Sequence, residues 1–303
     1  MRERLSQGKV LWISLYKPTT EEIKKTMKEL DISPLLMEDL STPVPKNYAR
    51  EVDGAIKLVL DFPVIKNISV THPHEVKLII MKQTLLTVHY DEMGGMDRFK
   101  RQMEVAQTLR KNQKNLTGAD LCLTLLSHLY DSTGLKLDYL ETKLEDIESE
   151  IFNNNEKEMV EEISKTSKKL ISFKHILCGH EEIFTEIHPA FKKLYKENID
   201  HSMHKIMKHY TLLKKHTELL TETLLTLRDT NAAMLNTKQN EVMKIFTIMA
   251  FITFPLTLIS SVFGMNTVSM PIVGHPLDFW IITGVMLMAM TGFFIFFKYK
   301  KWI

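Results

Sequence analysis

IFTIMAFITFPLTLISSVFGMNTVSMPIVGHPL, Ile245–Leu277, runs for 33 residues without an Asp, Glu, Lys or Arg. Asp278 interrupts, and Phe279–Phe297 adds 19 uncharged, strongly apolar residues. A helix needs roughly 20 apolar residues to cross the hydrocarbon layer of a bilayer, and each run can supply them. No other part of the chain does. Buried helices of a soluble protein could share this composition, but two such runs closed by Lys298, Lys300 and Lys301 favour two membrane spans.

Lysines set the expected orientation. Lys238 and Lys244 precede the first run, Lys298, Lys300 and Lys301 follow the second, and the connector has neither Lys nor Arg. The positive-inside rule then places both termini in the cytoplasm and a short loop outside, in the plasma or inner membrane. Trp280 and Trp302 suit the two interfaces. MRERLSQGKV carries charge without an apolar run, so no secretory leader is expected.

Outward from the spans, the texture divides. In the first 120 or so residues, VLWISLY, AIKLVLDFPVI and EVKLIIMKQTLLTVHY read as strands. TTEEIKKTMKELDI reads as a Thr-capped helix, and Met93-Gly94-Gly95-Met96 as a turn into another helix near Asp97. After Gly134, neither Gly nor Pro occurs from Leu135 to Cys178, nor in the 65 residues from Ala190 to Phe254. A continuous helix of that second length would run roughly 98 Å and enter the membrane without a break. Pro255 falls inside the span, where a kink is tolerated.

The expected fold class is thus an α/β cytoplasmic domain, then long α-helices and two C-terminal transmembrane helices. The expected boundaries are an α/β domain over 1–120, a helical hairpin over 121–189 and a stalk helix over 190–244. Beyond them come span one over 245–266, an outer loop over 267–278, span two over 279–297 and a basic tail over 298–303. Asp138–Glu162 holds ten acids against two lysines, whereas Ala190–Lys244 holds ten basic residues against six acids. Such runs are solvated faces, and their opposite signs favour packing the helices against each other.

Composition excludes several classes. Net charge of +2 gives no global field for nucleic acid, and Cys122 and Cys178 are too few for a disulfide framework or a cysteine zinc site. No P-loop, nucleophile–base motif or Gly-rich cradle is present, so neither an enzyme nor a resident cofactor is expected.

A purely greasy span would be an anchor, but this one carries Thr247, Thr253, Thr257, Ser260 and Ser261 and ends at Asn266. Steps of three and four from Asn240 give Met243, Phe246 or Thr247, Ala250, Phe254, Thr257 and Ser261, one mixed helical face. That polarity leaves a helix–helix contact and a pore equally open. Two helices cannot enclose water, so a pore needs several copies around an axis. The end of the span favours the pore: the Asn266 amide, and carbonyls freed where Gly264 breaks the helix, are neutral oxygen ligands. A ring of them holds a hydrated ion without trapping it, and the negative end of the helix dipole faces an arriving cation.

Gly264-Met265-Asn266 at the end of the first of two C-terminal spans resembles the signature of the CorA magnesium transporter family. Its context, NEVMKIFTIMAFITFPLTLISSVFGMN before it and Met270-Pro271, a second span and Lys-Tyr-Lys-Lys-Trp after it, strengthens the likeness. Ile32-Ser33-Pro34-Leu35-Leu36-Met37-Glu38-Asp39-Leu40 also resembles the family's cytoplasmic pattern. The resemblance implies a funnel-shaped homopentamer importing Mg2+, often with Co2+ or Ni2+. It implies that Asn266 is the filter residue beside Gly264 and Met265. Asp229, Asn240, Met243, Phe246, Phe254 and Thr257 would line stalk and pore, with Met243 and Phe246 as a hydrophobic constriction. The implied partners are further copies of the chain, membrane lipid and divalent cations.

Three departures stand out. Phe263 precedes Gly264 where the family usually has Tyr. Ile272-Val273 replace an acid of the outer loop, leaving His275 and Asp278 to collect cations. HSMHKIMKHY, with Lys205 and Lys208, replaces the acidic stalk segment of better-known members, so their regulatory metal site is not carried over. His201, His204, His209 and His216 spread around the stalk helix, and solvated histidines describe them better than one shared zinc site. The competing functions are a zinc transporter of the same superfamily and a membrane-anchored receptor or scaffold. The second leaves Asn266 unexplained.

Overall fold

The computed structural model describes residues 2–37, 40–42, 47–65, 73–109, 116–195, 199–266, 268 and 271–302. They form two compact units, residues 1–229 and 230–303.

The first unit is built on a six-stranded sheet. Its strands are β1 (Arg2–Gln7), β2 (Val10–Tyr16), β3 (Tyr48–Val52), β4 (Ala55–Phe62), β5 (His74–Met81) and β6 (Thr84–His89), in the order β1-β2-β6-β5-β4-β3. Only β2 and β6 pair in parallel; the other ladders are antiparallel. The inner strands are buried nearly throughout, which is why they read as continuous apolar runs. EVKLIIMKQTLLTVHY is two strands, β5 and β6, turned at Lys82 and Gln83. The edge strands β1 and β3 are polar and half exposed, so apolar pattern passes over them. The turn between β3 and β4 does carry a signal: Asp53 and Gly54 both have positive φ, 51° and 75°, as a two-residue hairpin loop requires.

Helix α1 (Thr20–Glu29) starts on a complete capping box, in which the Thr19 hydroxyl accepts from the Glu22 N–H and the Glu22 carboxylate accepts from the Thr19 N–H. It drives Ile23 and Met27 into a core with Ile13, Leu15, Ile79, Leu86 and Val88. The ISPLL segment makes a 3-10 turn (Pro34–Leu36), and Leu36 and Leu40 plug the same core. The buried Lys77 ammonium holds this segment by donating to the Leu40 and Thr42 carbonyls, with Glu75 beside it. Glu38 and Asp39 lie outside the described residues.

Helix α2 (Gly94–Thr108) begins three residues before the expected Asp97, and Gly95 in its first turn serves helix packing. A Cβ at Gly95 would sit 2.8 Å from the His128 carbonyl oxygen of α3 (Gly118–Phe152). Gly118 is tighter still: its Cβ would lie 2.1 Å from the Met81 carbonyl oxygen, where α3 meets the β5–β6 turn. Helix α3 passes through Gly134 unbroken, burying Leu137, Leu140, Leu144, Ile147 and Ile151 at helical spacing. Helices α4 (Glu156–Cys178) and α5 (His180–Tyr195) follow.

The stalk expected from residue 190 begins later. Residues 190–195 belong to α5, which continues through Pro189 because Ile187 and Phe191 anchor both sides of it. Helix α6 is a single run of 65 residues, Ile199–Phe263, that includes Pro255. Within the first unit it buries Met203, Ile206, Tyr210, Leu213, Thr217, Leu220, Leu224 and Leu227, alternating steps of three and four. The charge complementarity is realised in part: Glu141 of α3 meets His216 of α6, and Asp131, just before the acid-rich run, meets His209.

The second unit holds the end of α6 and helix α7 (Asp278–Tyr299), both long and apolar enough to cross a membrane and almost wholly unburied. Phe251 of α6 meets Phe297 of α7 edge-on, with ring centroids 6.4 Å apart. Left-handed Lys301 (φ 55°) turns the chain back so that Trp302 stacks on Phe297 and its N–H reaches the Phe297 carbonyl.

Candidate functional site

Helix α6 presents two different faces beyond Thr230. At about 100° per residue, Ile248, Ile252, Pro255, Leu256, Ile259 and Phe263 fall within one arc of about 100°. Each of these six has reduced exposure, and Ile248 is buried. Asn240, Met243, Phe246, Thr247, Ala250, Phe254, Thr257 and Ser261 fall in an arc of about 120° on the opposite side. All but the half-buried Ala250 are exposed, and Phe254 reaches 73 %. Phe246 and Asn240 mark the two edges of this stripe, and Thr247 lies about 20° inside Asn240. The face picked out by counting is exposed in the single chain, as are Ile245, Phe251 and Leu258 outside it.

Its hydroxyls are already oriented. Thr247 and Thr257 donate to the carbonyls of Met243 and Thr253 at 2.9 Å. A threonine whose proton is spent on the preceding turn offers only lone pairs outward, which suits a cation or its water shell.

The helix ends as a turn at Gly264. The Gly264 N–H donates to the Ser260 carbonyl at 2.9 Å and the Met265 N–H to Val262 at 3.3 Å, and Met265 and Asn266 are exposed beyond. Gly264 does not take the left-handed conformation of a helix-terminating glycine. Its missing side chain instead clears the Ser260 carbonyl, which a Cβ would approach to 3.1 Å. Thr267, Ser269 and Met270 lie outside the described residues.

Asp278 and His275, the expected collectors of cations, are tied into the loop. The Asp278 carboxylate accepts the N–H groups of Gly274 and Phe279, at 3.2 and 2.6 Å, and His275 Nδ1 accepts from Leu277 at 3.4 Å. Asp278 opens α7, so the positive end of that helix offsets much of its charge. In the first unit, Asp229 is exposed and accepts two hydrogen bonds from its neighbour Arg228. By spacing it lies three turns before Asn240 and in phase with the stripe.

The stalk histidines separate by face. His201 and His204 are both exposed; His204 shares a groove with His188 and Asp200, which meet at 3.0 Å. His209 and His216 turn toward α3, 3.4 Å from Asp131 and 3.2 Å from Glu141. Asp138 joins Glu141 and His216, the one group of three or more His, Cys, Asp or Glu ligand atoms among the described residues that lie within 4.8 Å of one another. Sequence reasoning missed this triad, although the i,i+3 spacing of Asp138 and Glu141 was visible.

A family model described as CorA-like Mg2+ transporter protein matches residues 7–301. The cobalt/magnesium transport protein CorA of Thermotoga maritima is 22% identical over 287 residues, covering 94% of this chain and 80% of its own. The protein of that name from Methanocaldococcus jannaschii is 22% identical over 298 residues, with 97% and 92% covered. The complete structure of the M. jannaschii CorA magnesium transporter superposes with a TM-score of 0.84 at 22% identity, covering 97% of this chain and 92% of that one. The ZntB cytoplasmic domain from Vibrio parahaemolyticus gives 0.61 at 13% identity, over 75% of this chain and 88% of that one.

Proposed function

Because the chain belongs to the CorA-like Mg2+ transporter protein family, we propose that it assembles into a ring and conducts divalent cations, Mg2+ first, with Co2+ and Ni2+ as alternatives. The observation that carries this reading is the stripe of α6 from Asn240 to Ser261. It is exposed apart from the half-buried Ala250, lies opposite the apolar face that holds Ile248 and Ile259, and is followed by Gly264-Met265-Asn266. In a ring of copies, five by analogy with the family, this stripe faces the axis. Met243 and Phe246 then form an apolar constriction that gates by dewetting, and Thr257 and Ser261 offer oxygens above it. Five Asn266 amides at the mouth hold a hydrated ion through its waters, since Mg2+ sheds them reluctantly. Asp229 forms an acidic ring at the inner end.

Both termini lie in the cytoplasm in this reading, and the outer loop faces away from it. A potential of 100 mV contributes about 2.3 kcal/mol per charge, hence about 4.6 kcal/mol for a divalent ion entering a negative cell, which suffices for uptake without nucleotide hydrolysis.

The test is flux into proteoliposomes held at a negative internal potential. Mg2+ entry above that of empty liposomes, reduced at least about tenfold by Asn266→Ala, is the expected result. Wild-type liposomes no more permeable than empty ones overturn the reading, and Zn2+ entry driven by a proton gradient replaces it with zinc transport.

A further inference from the structure

The triad Asp138, Glu141 and His216 joins two helices of the first unit. Asp138 and Glu141 stand one turn apart on α3, so their carboxylates leave the same face. His216 comes from α6, and its Nε2 lies 3.2 Å from Glu141 Oε2. Two ligand atoms each about 2.1 Å from one tetrahedral ion are separated by about 3.4 Å, so this pair is already at coordinating distance. All three ligand atoms fall within 4.8 Å of one another, and exposed carboxylates close that interval by rotation.

The backbones behind them are fixed. Leu137, Leu140 and Leu144 on α3 and Leu213, Thr217 and Leu220 on α6 are buried on either side of the ligands. Two nearby lysines are committed elsewhere: Lys143 pairs with Glu162 at 3.5 Å and Lys214 with Glu181 at 2.8 Å. The two carboxylates thus face an imidazole with no lysine or arginine paired to them among the described residues. Like charges one turn apart disfavour the helix, and a bound cation relieves that repulsion.

We propose that Asp138, Glu141 and His216 bind a borderline divalent transition-metal ion of the Co2+, Ni2+ and Zn2+ class, bridging α3 and α6. One imidazole with two carboxylates selects such ions over Mg2+, which takes oxygen ligands and keeps its waters. Coordination uses the Nε2 lone pair and the carboxylate oxygens, so protons compete with the metal and affinity falls in acid. The site shares no residue with the pore stripe or the filter.

The test measures Co2+ binding to the full chain in detergent, in an Asn266→Ala background so that the filter does not contribute. Equilibrium dialysis gives affinity and stoichiometry, and the visible absorption of Co2+ reports its ligands. One Co2+ per chain is expected, retained against equimolar Mg2+. Losing an outer-shell partner already costs 10–100-fold in metal affinity, so His216→Gln, and Asp138→Asn with Glu141→Gln, are expected to weaken Co2+ binding by about 100-fold. His209→Gln, two turns away beside Asp131, should bind like the parent. Unchanged affinity in the His216 and carboxylate variants overturns the proposal, as does an equal loss in His209→Gln or displacement by equimolar Mg2+. Because Asn266 is already replaced, these outcomes are independent of whether the wild-type chain conducts.

Discussion

His180 shows how far a folded environment can redirect one side chain. It is fully buried; its Nε2–H donates to the Asp61 carbonyl at 2.8 Å, its Nδ1 accepts the Tyr130 hydroxyl at 2.9 Å, and Tyr210 stacks on the ring. Burial is the main cause that pushes its pKa from 6.5 down to about 4, so the folded chain holds it neutral. In the unfolded chain it protonates near 6.5, and the unfolded state therefore binds the extra proton between about pH 6.5 and 4. Stability contributed by the neutral ring is complete above pH 6.5 and is lost as pH falls through that window. At 1.36 kcal/mol per pH unit, the interval corresponds to about 3 kcal/mol. Thermal unfolding of the purified chain should show this acid-side loss, and His180→Gln should flatten it while lowering stability near neutral pH. A wild-type unfolding temperature constant from pH 6.5 to 4 contradicts the assignment. At this scale, sequence singles out Asn266 because the residues of its motif are contiguous. It missed Asp138, Glu141 and His216, because His216 and Glu141 are 75 residues apart and meet only through the register of two helices.

Among the elements, what could be read depended on which side of each segment water touches. Buried strands such as β4 announce themselves by unbroken apolar composition, whereas β1 and β3 hide behind the charges that protect sheet edges. Glycine misled in the other direction. Gly94 and Gly95 look like a turn, and Gly134 like a boundary, yet all three lie inside helices. Neither Gly95 nor Gly118 has a positive φ, and both are needed for close approach by another element. Gly118→Ala places a methyl against the Met81 and Thr84 carbonyl oxygens, at 2.1 and 2.7 Å. Backbone oxygens cannot rotate away, so α3 must shift at its first turn, at a cost of about 1–3 kcal/mol. Gly54→Ala also loses stability, through its φ of 75°, but meets nothing within 4 Å. Hydrogen exchange distinguishes them: Gly118→Ala should lose protection at the start of α3 and in β5 and β6, and Gly54→Ala only in the β3–β4 hairpin. Equal loss across the sheet in both variants argues against the local clash.

At the scale of the whole molecule, the deciding quantity is the uncovered stripe on α6, because a membrane helix exposes polar oxygens to lipid only at a cost. The proposed ring of copies would remove that cost by turning Asn240, Thr247, Thr257 and Ser261 toward water at the axis. The opposite face, with Ile248 and Ile259, is then turned away from it. Cysteine crosslinking separates this arrangement from an inverted one. The exposed Cys178 is first replaced by serine, leaving Cys122 buried and its thiol held protonated by desolvation. In that background Met243→Cys and Thr257→Cys should form oxidised dimers between chains in native membranes, since axial positions of neighbouring copies approach one another. Ile248→Cys and Ile259→Cys should remain monomeric on denaturing gels under the same oxidant. Crosslinking of the isoleucine pair without the stripe positions would put the apolar face at the subunit contact. It would leave Asn266 without a common axis, and the pore reading would fail at its geometric premise.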